Sequence, residues 1–215
     1  LENRTKVEGN IRVMLSPRPA AALFAALGDA LVSGAPTFFD DGTAVNPSIH
    51  LLDDGRLPGG IRSHAFDDRG VSPVPVVVIR EGRLDQRYTG PSTARDRDAR
   101  PTGHMWDGSL RPSNLILRGG TRSYNAVLSS LSDVLTFVVD DLAGVDTIDW
   151  KTGEADLIAY GNLRRGNEEL GTVPGVRLRG NMEDVLSQLV DVSSDTDRIG
   201  HVDASGMLVD GFVAG

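Results

Sequence analysis

The chain of 215 residues contains no cysteine. Disulfide bonds, thiolate catalysis and cysteine-based zinc sites are therefore excluded, and a cytoplasmic protein is the expectation. No apolar run approaches the roughly 20 residues that a membrane-spanning helix needs. We therefore expect no membrane partner.

The chain has fewer basic than acidic residues: 22 Lys and Arg compared with 30 Asp and Glu, which gives a formal net charge of −8. A surface of that sign repels the phosphate backbone, so we expect no nucleic-acid partner. The sequence also lacks a Walker loop, a Gly-x-Gly-x-x-Gly turn and a Gly-x-Ser-x-Gly elbow. The sequence therefore gives no support for nucleotide binding or for a serine hydrolase built on that elbow.

The 25 glycines and the sparse aromatics, 5% of the chain, favour a turn-rich β protein over a helical bundle. Residues 1–215 predict a single α+β domain, mainly antiparallel β-sheet, barrel-like or sandwich-like, with a few short helices. Helical spacing predicts a helix from Pro17 to Gly34. The predicted strands and remaining helices are strand 11–15, short strands joined by tight loops within 38–70, a hairpin at 74–88, an element at 114–118, helix 124–131, strands 134–139, 155–160, 176–178 and 207–213, and helix 183–190. Residues 90–113 are predicted to be irregular. Asp191, Asp195, Asp197 and Asp203 are interpreted as turn caps, because the calcium-loop spacing that they resemble lacks its closing glutamate and central glycine.

Short sequence phrases, in a fixed order along the chain, resemble one protein family. They are the strand and helix opening at 13–34, the Asp-Asp-x-Gly turn at 67–70 with the hairpin at 73–84, Ser92-Thr93-Ala94-Arg95 with Pro101-Thr102-Gly103-His104, Arg179-Gly180-Asn181-Met182 leading into Asp195-Thr196-Asp197-Arg198, and Val213-Ala214-Gly215. Together they resemble the C-terminal domain of the TldD/PmbA family, also called TldD/TldE or modulator of DNA gyrase. The resemblance implies a domain of that fold and the processing of small or unfolded peptides, including peptide maturation. It covers the C-terminal domain only, and we expect the family's N-terminal domain to be absent from this chain.

The metal-bearing members of that family hold His-Glu-x-x-x-His on the first helix and a cysteine ligand near the C-terminus. By resemblance, Phe24, Ala25 and Asp29 stand at the helix positions and Asp203 at the cysteine position. Phe and Ala offer neither a metal ligand nor a carboxylate to take a proton from bound water. The resemblance therefore implies the PmbA/TldE type, without catalytic residues, metal or cofactor of its own. A hard cation between Asp29 and Asp203 is a less favoured alternative, because two carboxylates make a poor ion site.

The loop at 101–106 supplies the candidate peptide contacts Thr102, Gly103, His104 and Trp106. A tryptophan next to a flexible turn offers contact area at low entropy cost, although an ordinary ordered loop fits equally well. With the strands near 74–88, this loop is the predicted sheet edge at which an extended peptide pairs through its main chain.

Three hypotheses about function remain open. The favoured one makes this chain the structural and peptide-binding half of a heteromeric metallopeptidase, whose TldD-like homologous partner supplies zinc and hydrolysis. The second is a stand-alone hydrolase without metal, with His201 or His104 as a base beside a carboxylate. The third is a protein-binding module that modulates another protein, such as DNA gyrase.

Overall fold

The computed structural model describes residues 6–96, 98–131 and 133–215. In these ranges the helices are α1 (Pro17–Ser33), α2 (Pro91–Asp96), α3 (Tyr124–Ser129) and α4 (Met182–Ser187), with 3₁₀ turns at Phe38–Asp41 and Val145–Thr147. The strands are β1 (Gly9–Leu15), β2 (Leu51–Asp53), β3 (Val76–Arg80), β4 (Arg83–Leu84), β5 (Met105–Trp106), β6 (Ser109–Leu110), β7 (Leu115–Leu117), β8 (Leu135–Ala143), β9 (Glu154–Arg165), β10 (Glu168–Asn181), β11 (Leu189–Ile199) and β12 (Val202–Ala214). No helix in these ranges is both long and apolar enough to cross a membrane.

Five strands close into a ring of pairings. The ring runs β1–β8–β9–β10–β12, and β12 returns to pair with β1. The pairing of β1 with β8 is parallel, and the other pairings in the ring are antiparallel. A closed ring leaves no free strand edge, which is the arrangement of a barrel. The predicted α+β, mainly antiparallel fold is confirmed, in its barrel-like form.

A second arm of the sheet extends from the beginning of β12. There β12 pairs in parallel with β7, and β2, β3 and β4 follow in antiparallel order. β11 covers the other edge of β12. The segments between these short strands carry the loops of the candidate site.

Residues on the ring strands alternate between two apolar cores. One core receives Val13, Leu15, Phe137, Val139, Met207 and Val209. The smaller core receives the intervening Met14, Val138 and Leu208, which cluster with Val127 and Leu128 of α3 and with Leu131 just after it. This separation follows from the two-residue period of a strand, which sends neighbouring side chains to opposite faces.

The predicted helix is confirmed as α1, which packs on β12 and β8. Pro17 stands in its first turn, where a missing N–H costs nothing, and Gly34 follows it with a left-handed φ of 76°. Gly28 lets α1 approach β7 closely, because a Cβ there would lie 2.6 Å from the Leu115 side chain. The helix therefore lies directly over the junction between the ring and the second arm.

Two loop predictions need correction. Within residues 38–70 the described structure contains one strand, β2, a 3₁₀ turn, and loops whose backbone hydrogen bonds close tight turns instead of pairing further strands. Residues 90–113, predicted to be irregular, contain α2 and the β5–β6 hairpin. The hairpin has two residue pairs, and hydrogen bonds from its Met105 and Asp107 amides to the Asp67 and Asp68 carboxylates attach it to the turn at 67–70.

The aspartates of residues 189–199 are also placed differently from the prediction. They lie on β11 and not in capped turns. β9 and β10 are each longer than predicted, at 12 and 14 residues. Charged residues at their exposed positions obscured the alternation of apolar and polar residues that indicates a strand. In the structure each strand is paired on both sides, β9 with β8 and β10, and β10 with β9 and β12.

Candidate functional site

The helix positions that the resemblance assigns to metal ligands lie on different sides of α1. Phe24 is 1% exposed and packs in the main apolar core, whereas Asp29 is exposed to solvent. Ala25 lies between these extremes and offers no donor atom. Zinc needs several nitrogen, sulfur or oxygen ligands around one point, and this helix supplies a single carboxylate.

Asp203, at the start of β12, is fully engaged by an arginine. Arg198 Nε donates to Oδ1 at 2.6 Å and Nη2 to Oδ2 at 2.8 Å, while Nη1 donates to the Gly59 carbonyl at 2.8 Å. Both oxygens of Asp203 therefore serve an ion pair that fastens the β11–β12 turn to the loop after β2. In the described part of the chain, no three His, Cys, Asp or Glu side chains converge on a point that could hold a metal. These residues do not fit a zinc ion.

Asp53, at the end of β2, is the centre of a buried polar cluster. Its Oδ2 accepts hydrogen bonds from the Tyr88 hydroxyl and the Ser113 amide, both at 2.8 Å, and its Oδ1 accepts one from the Asn114 amide at 2.9 Å. Burial, together with the Asp53 charge, raises the pKa of the Tyr88 phenol well above its ordinary value. One carboxylate thus joins three segments that are distant in the sequence.

The predicted peptide-contact residue His104 lies inside this cluster. It is 0% exposed, its Nε2 lies 3.5 Å from Asp53 Oδ2, and the Tyr88 ring meets its ring edge-on at 5.1 Å. Neither of its ring nitrogens has a hydrogen-bond partner in the structure. Substrate in solvent therefore cannot reach a base at this position.

Thr102 and Gly103 are buried as well, and both tie the loop to its neighbours. The Thr102 amide donates to the Thr89 carbonyl at 2.9 Å, and its carbonyl accepts from the Val74 amide at 3.1 Å. The predicted segments 74–88 and 101–106 are therefore brought together. Of the four predicted contact residues, Trp106 is the one whose side chain is partly exposed.

Asp67 and Asp68 fasten the hairpin that carries Trp106. Asp67 accepts hydrogen bonds from the amides of Arg69, Val71 and Met105, and Asp68 Oδ2 accepts one from the amide of Asp107. Burial opposes the ionisation of Asp67, but these amide donors and the nearby His64 outweigh it and lower its pKa. The residues on both sides of Trp106 are thereby fixed to one turn.

His64 lies between that turn and the hairpin. Its Nδ1 is 2.9 Å from the Arg62 carbonyl and its Nε2 is 2.9 Å from the Gly103 carbonyl. Its ring meets Trp106 edge-on, with 4.7 Å between centroids. Beside the two rings is a cavity of about 380 Å³, and its walls are Ile61, Arg62, Ser63, His64, Trp106, Asp107, Arg111 and Pro112.

The loops of residues 54–73 and 101–114 are called the loop cluster below. His201, in the turn before β12, lies near enough to α1 and to this loop cluster to be influenced by charges on both. Burial is the main cause of its lowered pKa; Arg62 lowers the pKa further, and Asp29 and Asp53 oppose the shift. Arg62, Asp29 and Asp53 therefore all lie close enough to His201 to influence its ionisation. His201 has no hydrogen bond to Asp203, whose two oxygens accept from Arg198, so this carboxylate does not orient His201 as a base.

Sequence reasoning assigned no role to Asp53, Asp67, Tyr88, His64 or Asn114, which organise the region. Asn114 accepts from the Arg62 amide and donates to the Asp54 carbonyl and the Ser63 hydroxyl. The signal available was the density of aspartate and glycine after residue 52, which was interpreted as turn chemistry alone.

Comparison with known proteins identifies relatives of nearly the whole chain. Residues 8–215 match the family model of the PmbA/TldA metallopeptidase C-terminal domain. A metalloprotease of Methanocaldococcus jannaschii is 26% identical over 220 residues, which cover 94% of this chain and 48% of the relative. A metalloprotease of Synechocystis is 24% identical over 158 residues, or 69% of this chain and 33% of the relative. The chain thus spans about half the length, or less, of the curated relatives that it matches.

Solved structures share the fold. A protein described as a modulator of DNA gyrase from Thermotoga maritima superposes with a TM-score of 0.87 at 24% identity, covering 99% of this chain and 51% of that one. A second such protein, from Bacteroides thetaiotaomicron, gives 0.79 at 16% identity, covering 100% and 49%. TldE from Thermococcus kodakarensis gives 0.70 at 17% identity, covering 98% and 51%.

Proposed function

The chain belongs to the PmbA/TldA metallopeptidase C-terminal domain family, and on that premise we propose that it is the metal-free, PmbA/TldE-type subunit of a heteromeric metallopeptidase. In this proposal a homologous, TldD-like partner supplies zinc and hydrolysis. The present chain contributes structure and peptide contacts in a cytoplasmic enzyme that processes small or unfolded peptides.

The observation that carries the proposal is the chemistry of α1. Phe24 fills the apolar core at one of the ligand positions, and Ala25 stands where a proton-accepting carboxylate is needed. Two ligand positions remain: Asp29 is a single exposed carboxylate, and both oxygens of Asp203 accept hydrogen bonds from Arg198. A metal-dependent hydrolysis needs an open coordination position on an ion held by protein ligands, and these side chains do not provide that set.

The peptide-binding part of the proposal is supported by the loop cluster. The buried carboxylate of Asp67, a group that is costly to bury unless it is hydrogen-bonded, accepts the Met105 amide next to the partly exposed Trp106, which lines a cavity. Loops that are held in a fixed conformation by such hydrogen bonds are typical of binding surfaces. The stand-alone hydrolase finds no support, because His104 is closed to solvent and Asp203 does not serve His201.

The test is native mass spectrometry of the complex purified from its own source, with metal analysis and peptide hydrolysis on the same sample. We expect a heteromer with a homologous, zinc-loaded subunit. The double substitution Asp29→Asn with Asp203→Asn in this chain should leave the zinc content of the complex and its hydrolysis rate within about two-fold of the native values.

Two outcomes would contradict the proposal. One is an assembly of this chain alone that carries stoichiometric zinc, lost in the Asp29→Asn, Asp203→Asn variant. The other is a stable partner without any peptidase motif, which favours the protein-binding module instead.

A further inference from the structure

We propose that the cavity beside Trp106 is a side-chain subsite, which takes a bulky apolar residue of a bound peptide with an acidic residue next to it. The inference rests on the proposed function, because it names the peptide chemistry that the binding subunit would select.

The cavity has the size and lining of a pocket for one side chain. Its volume of about 380 Å³ is at the lower end of the roughly 300–1,000 Å³ of small-molecule sites. Ile61, Trp106 and Pro112 provide apolar walls, and the edge-on His64 ring closes one side. Ile61 is 68% exposed, and Phe66 on the same loop is 62% exposed. Large apolar side chains left in water around a pocket are typical of a surface that is covered on binding.

The tryptophan of this pocket is held in place before any ligand arrives. The amide before its own, from Met105, donates to Asp67, and the amide after it, from Asp107, donates to Asp68. The Met105 carbonyl in turn accepts from the Asp68 amide at 3.0 Å. A wall fixed in this way loses little conformational entropy on binding, so the contact area of Trp106 is available for affinity.

The charge at the pocket identifies the second half of the ligand. Two guanidinium groups, of Arg62 and Arg111, stand against one carboxylate, of Asp107, on a chain whose net charge is −8. Arg62 is fixed by donation to the Pro112 carbonyl at 3.0 Å. The Arg111 side chain is 55% exposed, and the ion pair it forms with the 83% exposed Asp107 has an N–O distance of 3.6 Å. Such an exposed pair is weak, so Arg111 is able to bind a peptide carboxylate with both nitrogens of its fork.

The experiment measures binding of fluorescein-labelled hexapeptides to the full 215-residue chain by fluorescence anisotropy. The peptides carry Glu-Leu, Glu-Ala or Lys-Leu between glycines. We expect Glu-Leu to bind about ten-fold tighter than either of the others. Trp106→Ala should weaken Glu-Leu binding ten-fold or more, whereas Tyr160→Ala, which removes an exposed aromatic ring on β9, should leave it unchanged.

A charge exchange separates recognition from folding. Arg111→Glu should reverse the preference, so that Lys-Leu binds tighter than Glu-Leu, and the same charge change at the exposed Arg118 should not. A reversal cannot arise from a partly unfolded loop, so the Arg111→Glu result stands even if Trp106→Ala loosens the hairpin.

Three results would overturn the subsite. If all three peptides bind equally and Trp106→Ala has no effect, the pocket is not the subsite, while peptide binding itself remains. If no peptide binds, the subsite fails, and mass spectrometry of the native complex decides the subunit role separately. If the chain dimerises in analytical ultracentrifugation and Trp106→Ala abolishes the dimer, a second copy occupies this surface.

Discussion

The Tyr88 hydroxyl donates a 2.8 Å hydrogen bond to Asp53 Oδ2 between two side chains that are 6% and 0% exposed. The two residues are 35 positions apart, and the same carboxylate also receives amides 60 and 61 positions away. A buried charge is tolerated when donors surround it, and these donors belong to the segments that form the candidate site. The order of the site therefore depends on the two side-chain oxygens of one aspartate.

Removing that carboxylate should destabilise the chain severely. Asp53→Ala leaves the Tyr88 hydroxyl and two amides buried without acceptors, which is expected to lower the free energy of unfolding by about 3–5 kcal/mol. Asp53→Asn, which keeps an acceptor oxygen, should cost less. Urea denaturation measures both. As a control, Asp156→Ala breaks the exposed pair with Arg177 and should cost far less. Equal losses at positions 53 and 156 would show that the cluster does not hold the loops.

The backbone at Gly103 tolerates no side chain. Its φ is +75°, and a Cβ there would lie 2.6 Å from Pro73 Cα, which is part of the backbone of the neighbouring loop. Gly108 in the same hairpin has a φ of +76° but open space around it. Both alanine substitutions carry left-handed strain of about 1–2 kcal/mol, and Gly103→Ala adds a clash of about 1–3 kcal/mol. Thermal unfolding should therefore rank Gly103→Ala well below Gly108→Ala, and the reverse order would show that the two loops are not in contact.

The attachment of the Trp106 hairpin should weaken in acid. Because the folded state lowers the pKa of Asp67, its stabilising effect is complete above the ordinary aspartate pKa of about 3.9 and is lost as pH falls through the lowered value. Hydrogen exchange of the Met105 and Val71 amides, measured from pH 6 to about pH 2, should show this loss of protection. In Asp67→Asn the protection should be lower at pH 6 and nearly independent of pH. A native-like pH dependence in that variant would assign the effect to another carboxylate.

The elements that the sequence predicted well are those whose signals are local. α1 has a proline in its first turn, an apolar stripe and a glycine end, and the β3–β4 hairpin has its turn at Glu81 and Gly82, both with positive φ. The closure of the ring had no such signal, because it depends on β1 pairing with β8 and β12 across most of the chain. β11 was missed because its charged residues lie along an exposed edge, where they conceal the apolar period.

The candidate site divides in the same way. Trp106 was predicted as a peptide contact from its residue type, because a tryptophan beside a flexible turn offers contact area at low entropy cost, and that role stays a prediction. Asp53 was interpreted as part of a turn, because its sequence neighbours Asp54 and Gly55 favour one. Its role depends on donors that folding brings from residues 88, 113 and 114, and no local pattern encodes those contacts.

The titration of His201 reports whether α1 and the loop cluster meet as described. Its folded pKa lies below the ordinary 6.5, mainly through burial, so folding favours the neutral ring and this preference costs stability as pH falls through the folded pKa. Arg62→Ala removes a nearby positive charge and should raise the pKa, while Asp29→Asn removes a negative charge and should lower it further. Both shifts are measured by NMR of the imidazole protons. Arg118→Ala, a change of charge at another exposed site, is the control and should leave the His201 pKa unchanged.

Opposite responses to residues on α1 and on the loop after β2 require both to lie near one imidazole. If neither substitution moves the titration, α1 and the loop cluster are not neighbours. Asp29, at a helix position that the resemblance assigns to a metal ligand, then does not lie near the loops that form the Trp106 pocket.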